Sequence, residues 1–180
     1  MISGHAKESF ERIFHKAAQA RLPLESGDVC QIVPLAQRGT RAADADANAV
    51  ILTISSIAFR LLLMVHVTED AGTIAYFTKD TTERPFREVF QEICNLCCGA
   101  INQELLRYFP DLGMSTPYML SARCVPYLEG LKPEFLASYA VTINSSVELA
   151  ATVCVCAHAP IDFVADVSEV EDTSGELELF

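Results

Sequence analysis

Polar and apolar positions along the chain change period several times, and each change predicts an element. Phe10, Ile13, Phe14 and Ala17 fall on one helical stripe, so residues 5–21 read as an amphipathic helix ended by Pro23 and Gly27. Val29 to Leu35 reads as a short strand, and the polar, Ala- and Asp-rich stretch Arg38 to Asn48 reads as a surface loop. Val50 to Ile57 and Phe59 to Val67 are β-rich runs separated by little more than a turn, which predicts an antiparallel pair. Thr68, Glu69 and Asp70 can cap a helix running through Thr78, although Gly72, Thr73 and Ile74 are poor helix formers. From Glu83 to Tyr108 the period is again that of a helix, stopped by Pro110 and Gly113. A strand follows Pro117 through about Cys124, then a loop containing Gly130 and Pro133. Two long strands close the pattern, Phe135 to Asn144 and Val147 to Ala157, with Ser145 and Ser146 in the turn between them. The order helix, strands, two helices, strands predicts an α+β fold: an antiparallel sheet with long helices packed on it.

The helix over 83–108 carries the most information. Glu88, Glu92, Asn95, Gly99 and Asn102 stand at i, i+4, i+7, i+11 and i+14, on one stripe. Phe86, Val89, Phe90, Ile93, Leu96, Cys97, Ala100, Ile101 and Leu105 flank it, so the helix is expected to bury most of its surface and show water a narrow polar seam. Gly inside a helix costs about 1 kcal/mol relative to Ala. Close approach of another surface beside Asn95 is one reason to tolerate Gly99.

These residues resemble the chemotaxis phosphatase family of CheC, CheX and FliY. That family carries Glu-x-x-Asn on a helix, with a Pro a little over twenty residues after the Asn. Here Glu92 and Asn95 fit, Gly99 stands where CheX-like helices carry Gly, and Pro117 lies 22 residues after Asn95. Tyr118 to Arg123 is similar to the strand that follows that Pro. The departure is Glu88, where the family prefers Ser or Asp. CheC carries two such helices; a single Glu-x-x-Asn in a plausible helix matches the CheX type and a CheX-like fold.

The resemblance implies hydrolysis of the aspartyl phosphate of a phosphorylated CheY-like receiver domain. Asn95 would orient the attacking water and Glu92 would pair with the receiver's active-site Lys. Glu88, Gly99 and Asn102 would contact the partner. No cofactor is expected in this chain, because the Mg2+ belongs to the receiver. A homodimer is expected, since CheX-like proteins pair subunits through their sheets. The alternative is a non-catalytic module of the same fold that binds a receiver or another signalling partner.

Composition narrows the picture. The chain has 180 residues, 51% of them apolar, which suits one domain over 1–164 with a sizeable core. No apolar run reaches the roughly 18 residues of a membrane span, and the polar, amphipathic start gives no secretory signal, so a cytoplasmic location is expected. Net charge is −11, and Lys132 is the last Lys or Arg. Asp162, Asp166, Glu169, Glu171, Asp172, Glu176 and Glu178 follow it, so residues 165–180 read as an acidic, flexible tail. This balance argues against nucleic-acid binding.

Seven cysteines raise the question of metal or redox chemistry. Cys94, Cys97 and Cys98 lie on the seam helix, Cys154 and Cys156 share one strand face, and Cys30 and Cys124 stand apart. Neither group has a second matching pair in a knuckle, so apolar packing is the expected role and no metal site is assigned. His5, His15, His66 and His158 are too scattered to form a ligand set.

Overall fold

Among the described residues a polar residue stands at the start of two of the three α-helices, and each does the same work. Ser3 accepts a hydrogen bond from the Ala6 amide and opens α1 (Gly4–Arg21). Asp70 accepts from the Thr73 amide and opens α2 (Ala71–Thr78). The third helix, α3 (Phe86–Leu105), instead begins after Pro85, without a side-chain cap. The computed structural model describes residues 1–35, 47–79 and 84–166. Most of the expected 38–48 loop, residue Glu83 and residues 167–180 lie outside the described residues.

Among the described residues seven strands form one antiparallel sheet: β1 (Cys30–Pro34), β2 (Asn48–Ser55), β3 (Phe59–Val67), β4 (Gly113–Met114), β5 (Tyr118–Ser121), β6 (Phe135–Ile143) and β7 (Val147–Ala157). Their order is β1-β6-β7-β3-β2-β4, with β5 also paired to β2. The fold is α+β, as the order of elements predicts.

The helices cover one face. Val50, Leu52, Leu61, Leu63, Val65, Val141, Leu149 and Val153 point from the sheet into a core shared with Phe10, Ile13 and Phe14 of α1 and Phe90, Ile93 and Ile101 of α3. The period-2 register sends Ala49, Ile51, Met64 and Cys154 to the other face, where Ala122, Val125 and Leu128 cover them. Strands covered on both faces read as near-continuous apolar runs, which is why β3 shows so little alternation.

Two departures from the sequence reading have local causes. The strand after Pro117 stops at Ser121, whose hydroxyl accepts from the Arg123 amide and starts a 3-10 helix over Ala122–Leu131. Ala122, Val125 and Leu128 are three residues apart, the period of that helix, and Pro126 has no N–H to give a ladder. The β6–β7 turn is centred on Asn144 and Ser145, with φ of 51° and 57°, and Ser146 N–H closes it onto Ile143. Asn tolerates that region better than most residues. Both long strands, β6 and β7, lie inside the sheet, so neither offers an unpaired edge to a second subunit. The edges are the short β1, which ends at Pro34, and the shorter β4 and β5.

The α1–β1 connection is tied down from two sides. Asp28 accepts from Tyr76 Oη at 2.6 Å and from Asn144 Nδ2 at 2.5 Å, which holds its carboxyl at about 2. One carboxylate thus joins this connection to α2 and to the β6–β7 turn.

Candidate functional site

The seam is the outer face of α3, and its placement follows from what the helix buries. Phe86, Val89, Phe90, Ile93, Cys94, Cys97, Cys98, Ile101 and Leu105 are buried, an i, i+3, i+4, i+7 series. Phe77, Phe86 and Phe90 form an aromatic cluster at its N-terminal end. Near the other end, Lys16 of α1 meets Glu104 at 2.9 Å. The backbone that carries the seam is therefore fixed from both ends by α1, α2 and the sheet.

What remains outside is the expected stripe, with one addition. Glu88 and Glu92 are exposed, and Asn95, Gly99 and Asn102 are half-buried. Leu96, expected on the apolar flank, is 54% exposed beside Glu92 and Asn95. Counting one residue further round the helix explains the difference: Cys94 and Cys98 take the buried positions, and Leu96 rotates outward. The seam is thus a mixed surface with an apolar residue at its centre, which the sequence reading missed.

Each seam residue has a distinct environment. The Asn95 side chain makes no hydrogen bond among the described residues, so its amide is free for a ligand. A Cβ placed on Gly99 would meet nothing within 4 Å, so packing inside this chain does not require glycine there. Asn102 differs: its Oδ1 is buried without a partner among the described residues. Glu92 and Glu88 share a cation, since Arg84 Nη1 reaches Glu92 Oε2 at 2.8 Å and Arg84 Nη2 reaches Glu88 Oε1 at 3.0 Å. These bonds, Glu92 foremost, hold the guanidinium above its ordinary range. Arg87 next to Glu88 turns away, to Glu69 at 2.8 Å. Helix geometry sets Glu92 and Asn95 one turn apart, about 5–6 Å between Cβ atoms.

The thiols do not join this surface. Cys94, Cys97 and Cys98 face the core and all seven cysteines are free. Burial raises the pKa values of Cys94, Cys97 and Cys98, Cys94 well above the ordinary range and Cys98 to about 12. A thiol so hard to ionise is a poor nucleophile and a poor metal ligand. Among the described residues no three His, Cys, Asp or Glu side chains gather as a metal site.

The opposite face holds a different polar group. His66 Nε2, Thr152 Oγ1 and Ser138 Oγ form a buried chain, with 3.1 Å at each step, across β3, β7 and β6. Ser138 and Thr152 also line a groove of about 190 Å³ beneath the 3-10 helix. His66 Nδ1 has no hydrogen-bond partner among the described residues, and burial lowers the imidazole pKa to about 4. The ring is therefore neutral, and an orphaned acceptor is cheaper than an orphaned N–H. That assigns the proton to Nε2, which donates to Thr152.

With this geometry in hand, comparison with solved structures is informative about the fold. Chemotaxis protein CheX from Vibrio vulnificus superposes with a TM-score of 0.58 at 14% identity, covering 82% of this chain and 99% of its own. A putative chemotaxis protein from Desulfovibrio vulgaris Hildenborough gives 0.57 at 12% identity, covering 82% and 96%. A chain of the CheX–CheY–BeF3–Mg+2 complex from Borrelia burgdorferi gives 0.50 at 10% identity, covering 82% and 96%. No family model matches the sequence, and no curated protein matches it. The chain has a CheX-like fold.

Proposed function

We propose that this chain docks a phosphorylated CheY-like receiver along the outer face of α3 and hydrolyses its aspartyl phosphate. One observation carries the reading: in a CheX-like fold, Glu92 and the unengaged amide of Asn95 stand one turn apart on a surface the fold leaves open, with Gly99 beside them. The fold neighbour solved together with CheY supports the choice of partner.

An acyl phosphate is already activated, so no covalent nucleophile is needed. The requirement is a water held in line with the bond that breaks. The Asn95 carbonyl accepts a hydrogen bond from that water, while its NH2 faces the phosphoryl oxygens. A P–O bond forms to the water oxygen, the P–O bond to the receiver's aspartate breaks with its electron pair leaving on that carboxylate, and both protons of the water stay on the oxygens of the inorganic phosphate released. Glu92 sets the register by pairing with the receiver's Lys. The Mg2+ is supplied by the receiver. Glu88, Gly99, Asn102 and Leu96 form the surrounding contact surface.

Decay of receiver phosphate with and without this protein, under single-turnover conditions, tests the reading. Acceleration supports it. Tight binding of the phosphorylated receiver with no acceleration would leave a non-catalytic docking module instead.

A further inference from the structure

Glu92 is not free in this chain. Arg84 stands just outside α3, before Pro85, and reaches along the seam to both carboxylates, with Nη1 on Glu92 and Nη2 on Glu88. The three side chains are 42%, 54% and 60% exposed in the order Arg84, Glu92, Glu88. Building on the receiver reading, we infer that Arg84 is an internal stand-in for the partner's lysine: it occupies Glu92 in the free protein and gives it up on docking.

The arrangement suits an exchange better than a support. α3 is already fixed by its buried face and by the Lys16–Glu104 pair, so the clasp is not needed to hold the helix. Exposed ion pairs are weak and readily exchanged. Without a cation, Glu88 and Glu92 would be like charges at i, i+4 and would repel. The planar guanidinium meets the two carboxylates from two separate nitrogens in a fixed fork. When an incoming ammonium takes Glu92, Arg84 keeps its contact with Glu88 and is not stranded. Glu88, the position where this sequence departs from the family it resembles, thereby gains a role as the resting place of the displaced arginine. The clasp makes docking a competition: a partner that brings only a positive charge gains little by replacing Arg84. A receiver that also brings the phosphoryl group to Asn95 gains more and so offsets the loss of the clasp, which lowers the affinity of both receiver forms alike and leaves their ratio to the phosphoryl contact.

A binding cycle tests this, using a receiver activated with beryllofluoride and Mg2+ as the probe. Affinity is measured for wild type, Arg84→Ala, Glu92→Gln and the double variant. Arg84→Ala should bind about two- to fivefold tighter, the range open to an exposed pair, and the gain should vanish in the Glu92→Gln background. Arg87→Ala changes net charge equally but frees Glu69 instead, and should show no such coupling to Glu92. Arg84→Ala binding equally or more weakly than wild type overturns the inference, as does a gain that persists without Glu92, since that is bulk charge. If Arg84→Ala lowers the melting temperature, Arg84→Gln repeats the comparison. Failure of wild type to bind the activated receiver at all overturns the receiver reading itself, and the clasp with it. The first two outcomes leave that reading standing.

Discussion

In the proposed reaction Asn95 acts only by position, because a neutral amide neither gains nor loses a proton at working pH. Asn95→Ala should therefore lower single-turnover dephosphorylation by about 10²–10³, the usual loss on deleting one positioning group, while receiver affinity stays close to wild type. Wild-type turnover in that variant would remove Asn95 from the mechanism. Glu92→Ala should weaken both binding and rate, since it deletes a charge pair across the interface. His66 provides a residue-scale test of the fold. Its folded pKa is depressed from 6.5 to about 4 by burial. Above pH 6.5 the ring is neutral in both states and adds no pH dependence. As pH falls from 6.5 towards 4 the unfolded chain takes a proton that the folded chain refuses, so stability is lost by up to about 3 kcal/mol. Thermal melts from pH 7 to pH 4.5 should show a shallower decline in His66→Gln than in wild type.

At the scale of elements, α3 is a helix in which packing and presentation are separated by face. Gly99→Leu tests that separation. Leu is the better helix former by about 1 kcal/mol, and a Cβ there meets open space, so the melting temperature should hold or rise. Receiver binding should fall, because the new side chain stands where the partner approaches. Loss of folding would place Gly99 against its own core instead. The seam was legible because a long helix repeats its period often enough for five positions to define a stripe. Leu96 was misplaced because one residue is about 100° of rotation, and an apolar residue at the edge of a stripe fits either side. The 3-10 helix was missed because Ala122, Val125 and Leu128 look like a broken strand unless a three-residue period is sought. The Arg84 clasp was invisible for another reason: a residue outside the helix, before a proline, has no periodic relation to the seam it reaches.

At the scale of the molecule, the C-terminal boundary of the packed domain can be probed by truncation. Ala165 is buried and its N–H donates to Ser9 Oγ at 2.9 Å, and the Asp166 N–H donates to Tyr108 Oη at 2.9 Å. Ending the chain after Asp166 should leave the melting temperature unchanged, since the residues removed are mostly carboxylates and small polar residues with a few apolar ones. Ending it after Val164 should lower it, because the buried Ala165 and its hydrogen bond go. A homodimer remains the expectation from the resemblance, and the exposed Val33 on the edge strand β1 is where pairing would bury apolar surface. Sedimentation at micromolar concentration should then find a species of twice the 19.7 kDa chain mass; a monomer alone counts against it.

The sheet order has a consequence for how the protein is made. β1 has one partner, β6, and Cys30 waits for Ile143. Ile2 likewise meets Ile161, and the terminal amine meets Glu134 at 3.0 Å. On a ribosome moving at about 5–20 residues per second, the first strand therefore stays single for roughly 6–25 s. During that interval α1 has emerged with Phe10, Ile13 and Phe14 uncovered, a ready target for chaperones that bind nascent apolar helices. Placing α1 and β1 directly after Asp166, so that they follow the strands they join, would shorten that wait to the time needed to make about fifty residues.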